Sequence, residues 1–92
     1  MGKGFGKKDE YILFQPMHDD YLAIYEDSEY VRQMGWSSHP SKAIKFASEE
    51  LARKTARKIL EDKEPDYQLV ICQLYDVGDR LAVKQIKQLS NS

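Results

Sequence analysis

The spacing of apolar residues changes along the chain, and each change marks a different kind of element. Residues 11–15 (Tyr-Ile-Leu-Phe-Gln) and 21–25 (Tyr-Leu-Ala-Ile-Tyr) are short runs of aromatic and β-branched residues, the composition of strands. Pro16 stops the first run and the polar stretch Met17-His18-Asp19-Asp20 leads into the second, which predicts a hairpin with a shared apolar face. Further on the period lengthens. Leu51, Ala52, Thr55, Ala56, Ile59 and Leu60 recur at i, i+1, i+4, i+5, i+8 and i+9, one stripe of a helix over 48–62 that has to be buried. Ser48 supplies an N-cap, because its hydroxyl can accept from an unpaired first-turn amide, and Glu49 and Glu50 sit where the helix dipole favours negative charge. Pro65 is the expected stop, since it lacks an amide hydrogen and disfavours helical geometry before it. Residues 67–75 are apolar at both alternating positions, as in a strand covered on two sides.

Two segments fit two patterns each. Asp27 as cap and Gly35 as stop would frame a short helix, whereas residues 30–34 fit a third strand, the reading adopted here. In 80–89, Leu81, Ala82, Val83, Ile86 and Leu89 fall on one side of a helix capped by Asp79, while Leu81 and Val83 also suit a strand; the helix has the edge. Residues 36–41 read as a loop, after which Ile44 and Phe46 cover one end of the core. The expected fold is a one-domain α+β protein of ββ(β)αβ order: a small, mostly antiparallel sheet packed by one central helix, with a C-terminal helix or strand. Residues 1–9 form a flexible basic tail, 10–89 the domain and 90–92 a frayed end.

At 92 residues the chain supports one core with little to spare. Its 41% hydrophobic and 32% charged content is that of a soluble globular domain. The single Cys72 lies inside the apolar run 69–74, which makes it a small buried side chain in a reducing, cytoplasmic setting. No apolar segment follows the N-terminal lysines as a secretory signal would require, and no run is long enough to span a bilayer.

Motifs carry little chemistry. Gly2 to Gly6 followed by Lys7 is one residue short of a phosphate loop and has Lys8 where Ser or Thr should bind the metal. Gly2-x-Gly4-x-Gly6 has the wrong spacing for a dinucleotide fingerprint. His18, Asp19 and Asp20 offer metal ligands, but adjacent turn residues rarely aim at one point. His39 before Pro40 is a loop residue, and Cys72 would need both exposure and a base to act as a nucleophile. No catalysis, cofactor or metal is expected. The run Ala43-x-x-Phe46-x-Ser48-x-Glu50-x-Ala52 resembles a strand-to-helix junction found in many small, unrelated bacterial and phage proteins, and implies no activity.

Charge is more informative. Seven acidic residues and no Lys or Arg fall between Asp9 and Tyr30, while six basic residues against two acidic ones lie between Lys42 and Lys58. A net charge of −1 therefore hides a dipolar chain. One reading is a non-catalytic interaction module for an unidentified protein or a second copy of itself, anchored by Trp36, exposed tyrosines and Met34. A plain core position for Trp36 competes with that role. The alternative is nucleic-acid binding through Arg53, Lys54, Arg57 and Lys58 on the helix's outer face. Against it, Glu49–Arg53, Glu50–Lys54, Arg57–Glu61 and Lys58–Asp62 are i, i+4 pairs that would neutralise that face.

Overall fold

The computed structural model describes residues 10–76 and 81–90, and the basic tail expected from the sequence lies outside them; of the turn that Asp76, Val77, Gly78 and Asp79 suggest, Asp76 ends a strand and the other three lie outside the described residues. The first hairpin forms as its composition dictates, from β1 (Glu10–Gln15) and β2 (Asp20–Asp27). Its turn closes with the His18 and Asp19 amides on the Gln15 carbonyl at 3.2 and 2.9 Å. Asp19 takes φ 56°, a left-handed conformation that Asp tolerates better than most residues. The two strands pair only at Phe14↔Tyr21 and Gln15↔Asp20. Beyond that β2 leaves β1, and the segment carrying Ile44 and Phe46 fills the gap. The Ile44 amide donates to the Leu22 carbonyl at 2.9 Å, and Phe46 and Tyr11 exchange two backbone hydrogen bonds of 2.8 and 2.9 Å.

β2 continues as a two-stranded ribbon with β3 (Arg32–Ser37), in the register Tyr25↔Met34 and Asp27↔Arg32. The third strand is real but shifted from its expected position at 30–34. A tight turn, closed by the Ser28 amide on the Val31 carbonyl at 2.8 Å, holds residues 28–31, so pairing starts later and takes in Gly35, Trp36 and Ser37, expected as a stop and a loop. A bulge at Ala23 bends the ribbon.

α1 (Glu49–Leu60) starts as expected, with Ser48 Oγ accepting from the Leu51 amide at 3.2 Å. It ends well before Pro65. The Asp62 and Lys63 amides donate to the Ile59 and Leu60 carbonyls in a tightened last turn, so the proline follows the stop instead of causing it. The helix buries Ala52, Ala56, Ile59 and Leu60 against Leu13, Leu22, Leu69, Ile71 and Leu89. Leu51 is 48% exposed, so the buried stripe is narrower than the apolar spacing implied.

β4 (Gln68–Asp76) pairs with β1 on one side and with β5 (Leu81–Ser90) on the other, giving an antiparallel sheet of order β3-β2-β1-β4-β5. The C-terminal segment is thus a strand and not the helix preferred from its spacing, and it runs through Ser90, which was expected to fray. Its helix-like spacing has a physical origin. Ile86 is an extra residue opposite the Ile71/Cys72 step, so Val83 and Leu89 fall on opposite faces, Val83 against the reverse core and Leu89 in the helix-side core, and the spacing of three mixes residues of two faces with the partly exposed Ile86 between them. On the reverse face, Ile12, Val70, Cys72 and Leu74 form a second core with Ala43. The 3-10 turn Pro40–Lys42 approaches both β2 and β5 and so crosses that face. Coverage on both sides explains the uninterrupted apolar run of β4.

Candidate interaction surface

The helix packs on β1, β4 and β5, leaving the ribbon's helix-side face beside it instead of beneath it. Along β3, side chains alternate so that Arg32, Met34 and Trp36 face the helix side, opposite Asp27, Tyr25 and Leu22. Trp36 is half-buried against the helix-side core and anchors the ribbon. Farther out, two ion pairs tie the ribbon to the helix's last turns: Arg32 Nη2 to Asp62 at 2.6 Å and Lys58 Nζ to Asp27 at 3.3 Å. Arg32 Nε also lies 3.6 Å from Asp27. Between Trp36 and these pairs opens a groove of about 290 Å³, lined by Tyr25, Met34 and Ile59 with Arg32, Gln33, Asp62 and Lys63. Burial raises the Tyr25 phenol above its ordinary pKa, and Asp27 adds to the rise against the opposing pull of Lys58 and Arg32.

The free edge of β3 adjoins this groove. The hydrogen-bonded closure of Ser28 with Val31 makes 27↔32 a non-bonded pair, 26↔33 a bonded one and 25↔34 a non-bonded one, by the alternation of an antiparallel ladder. The backbone N–H and C=O groups of Arg32 and Met34, and of Trp36 two residues on, therefore point away from β2.

The five residues singled out by sequence do not act as one patch. Trp36 belongs to the ribbon. Lys58 turns toward the ribbon and is engaged with Asp27. Arg53, Lys54 and Arg57 lie on the other side, with Arg53 half-buried and the other two exposed. The anticipated i, i+4 pairs are absent: Lys58 and Asp62 bond across to the ribbon, and among the described residues Arg53, Lys54 and Arg57 form no ion pair. Lys84 and Lys87 of β5 lie opposite Gln73 and Ile71 and so face the helix side too. The acidic hairpin and the basic helix thus partly neutralise each other within the chain, through Asp27 and Lys58.

Sequence reasoning missed the buried Gln15, 4% exposed, whose Nε2 donates to Asp20 Oδ1 at 2.6 Å and whose Oε1 accepts from Tyr67 Oη. Burial, then Asp20, raises the Tyr67 phenol pKa. Lys63 Nζ stands 5.0 Å from the centre of its ring. This network locks the β1 end and explains why a polar residue closes an apolar strand. His18 and His39 are exposed on separate turns. Cys72 is buried, and desolvation pushes its thiol up to about 11. Among the described residues no three His, Cys, Asp or Glu side chains are grouped to hold a metal, and no helix is long and apolar enough to cross a membrane.

Comparison with known proteins finds no matching family model, and no curated protein or solved structure similar to the chain.

Proposed function

We propose that this chain is a small non-catalytic protein-interaction module of the cytoplasm that receives its partner on the edge of β3 and in the adjoining groove. The observation that carries this reading is a strand edge with outward backbone donors and acceptors beside an apolar-floored groove. Strand addition uses that combination: main-chain bonds hold the added segment and a pocket selects its side chains. The remaining chemistry agrees, since a thiol that is buried and held at about 11 is a poor nucleophile near neutrality, while both histidines are exposed on turns. The test is photo-crosslinking in the host. A photoreactive residue at Met34 should capture a protein, while the same residue at Lys54, on the outer helix face, should not. Capture at Lys54 alone, or at neither position, contradicts the reading.

A second reading has its own support. Arg53, Lys54 and Arg57 lack the carboxylate partners expected for them, and Lys84 and Lys87 extend the same side, a layout suited to a phosphate backbone. Anisotropy of labelled single-stranded and duplex oligonucleotides decides it. Binding that falls steeply with salt and is lost in Arg53→Glu/Arg57→Glu would favour nucleic acid, and no binding at low salt would remove it.

A further inference from the structure

We infer that the β3 edge pairs with the β3 edge of a second copy of this chain, antiparallel about a two-fold axis at Met34, joining two sheets into one. The inference rests on the interaction-module reading and names its occupant.

The two edges of the sheet differ in how they resist pairing. β5 is blunted by the bulge at Ile86 and carries Lys84 and Lys87, devices that keep strand edges from adding to one another. β3 has no proline, its bulge lies on the β2 side, and its middle residue is Met34, 40% exposed. The outward groups of β3 sit on Arg32, Met34 and Trp36. An antiparallel pairing centred on Met34 matches these three with themselves: Met34 opposite Met34, and Arg32 opposite Trp36 twice. Residues directly opposite share a face, so this register places both Met34 side chains and both Arg32–Trp36 pairs on the helix side, beside the two grooves.

Charge fits the same register. Each Arg32 meets an indole and not its own copy, so like charges do not face each other and a cation–π contact becomes possible. On the other face Gln33 lies opposite Gly35, which has no side chain to obstruct it. Registers centred on Gln33 or Gly35 would leave outward groups of Arg32, Met34 or Trp36 without a matching partner. The contact is isologous, so it closes at two copies and does not propagate, because the remaining edge of each sheet is the protected β5.

Light scattering on the full chain, at micromolar and millimolar protein, tests the pairing together with three variants. The wild type should approach twice 10.7 kDa at the higher concentration, and Met34→Lys, which sets two ammonium groups against each other on the axis, should stay at one copy while keeping the wild-type melting temperature within a few degrees. Met34→Cys should form an intermolecular disulfide under mild oxidation at least tenfold faster than Lys54→Cys, since opposed residues in a bonded pair are about 5.5 Å apart at Cα, within disulfide reach. A wild type at one copy at millimolar concentration overturns the inference. So does a Met34→Lys protein that still dimerises, or a Met34→Cys protein that crosslinks no faster than Lys54→Cys. A one-copy protein that nonetheless captures another protein through Met34 would remove self-pairing and leave the interaction-module reading standing.

Discussion

The two edge strands are both antiparallel and both accessible, yet they belong to different parts of the molecule. β5 pairs with β4 from Gln68↔Ser90 to Asp76↔Leu81 and sends Leu89 into the helix-side core. β3 pairs only with β2, which itself meets β1 at two positions, and Trp36 is its main hold on the core. The strand bound into the core carries a bulge and two lysines of its own, while in the semi-detached ribbon the bulge lies on β2 and the edge strand β3 carries the single charge of Arg32. Under the proposed interaction reading, stability and recognition would lie on opposite sides of the sheet, so changes on β3 should alter association with little effect on folding, and changes near β5 the reverse.

The largest expected effect is in denaturant melts of alanine variants. Leu89→Ala should destabilise by about 2–4 kcal/mol, because it opens a cavity under the helix, whereas Met34→Ala on the ribbon should cost less than about 0.5 kcal/mol in the dilute protein. Equal losses at both positions would break the contrast. Next is an alkaline effect at the Cys72↔Gln85 position, beside β5. The folded thiol is raised from 9.0 to about 11 by burial, so its contribution is fully present below about pH 9 and is lost as pH climbs toward 11, on the order of 2 kcal/mol. The buried-side tyrosines Tyr21 and Tyr67 are raised as well and steepen the decline above their ordinary pKa. Stability measured against pH should fall over that window, and Cys72→Ala should flatten it.

Smaller effects sharpen the comparison. Ser48→Ala removes the helix cap and should lower stability by about 1 kcal/mol, felt by the core and not by the ribbon. Asp27→Asn breaks the link to Lys58 and weakens that to Arg32, both largely exposed, and should cost about 0.5 kcal/mol or less, vanishing at high salt. A salt-independent loss would mean that the ribbon is held by more than surface charge.

Much of this architecture was legible in the chain because local chemistry and tertiary position agree. Ser48, Glu49 and Glu50 specify a helix start whatever surrounds it, and the two-sided apolar run of β4 can only be covered on both faces. The misreadings come from tertiary features that a local pattern does not record. In β5 both faces carry apolar residues, Val83 on one and Leu89 on the other across the bulge at Ile86, which imitates the spacing of a helix, and the Ser28–Val31 turn moved β3 toward the C-terminus, so that Gly35 and Trp36 joined it. The groove was legible only in part. Met34 and Trp36 stand out as apolar residues near an acidic stretch, but their meeting with Ile59 and Asp62 depends on how the bulge at Ala23 bends the ribbon, and that information is spread over the whole fold. The i, i+4 pairs failed because Asp27 and Arg32 offered Lys58 and Asp62 partners that only tertiary structure reveals.

The most direct test of an open β3 edge is amide hydrogen exchange at single-residue resolution, in micromolar and in millimolar protein. Exchange at Arg32, Met34 and Trp36 should slow as concentration rises, while the amides along β5 keep the same rates. Rates at Met34 that do not depend on concentration, or slowing along β5 instead, would contradict the account.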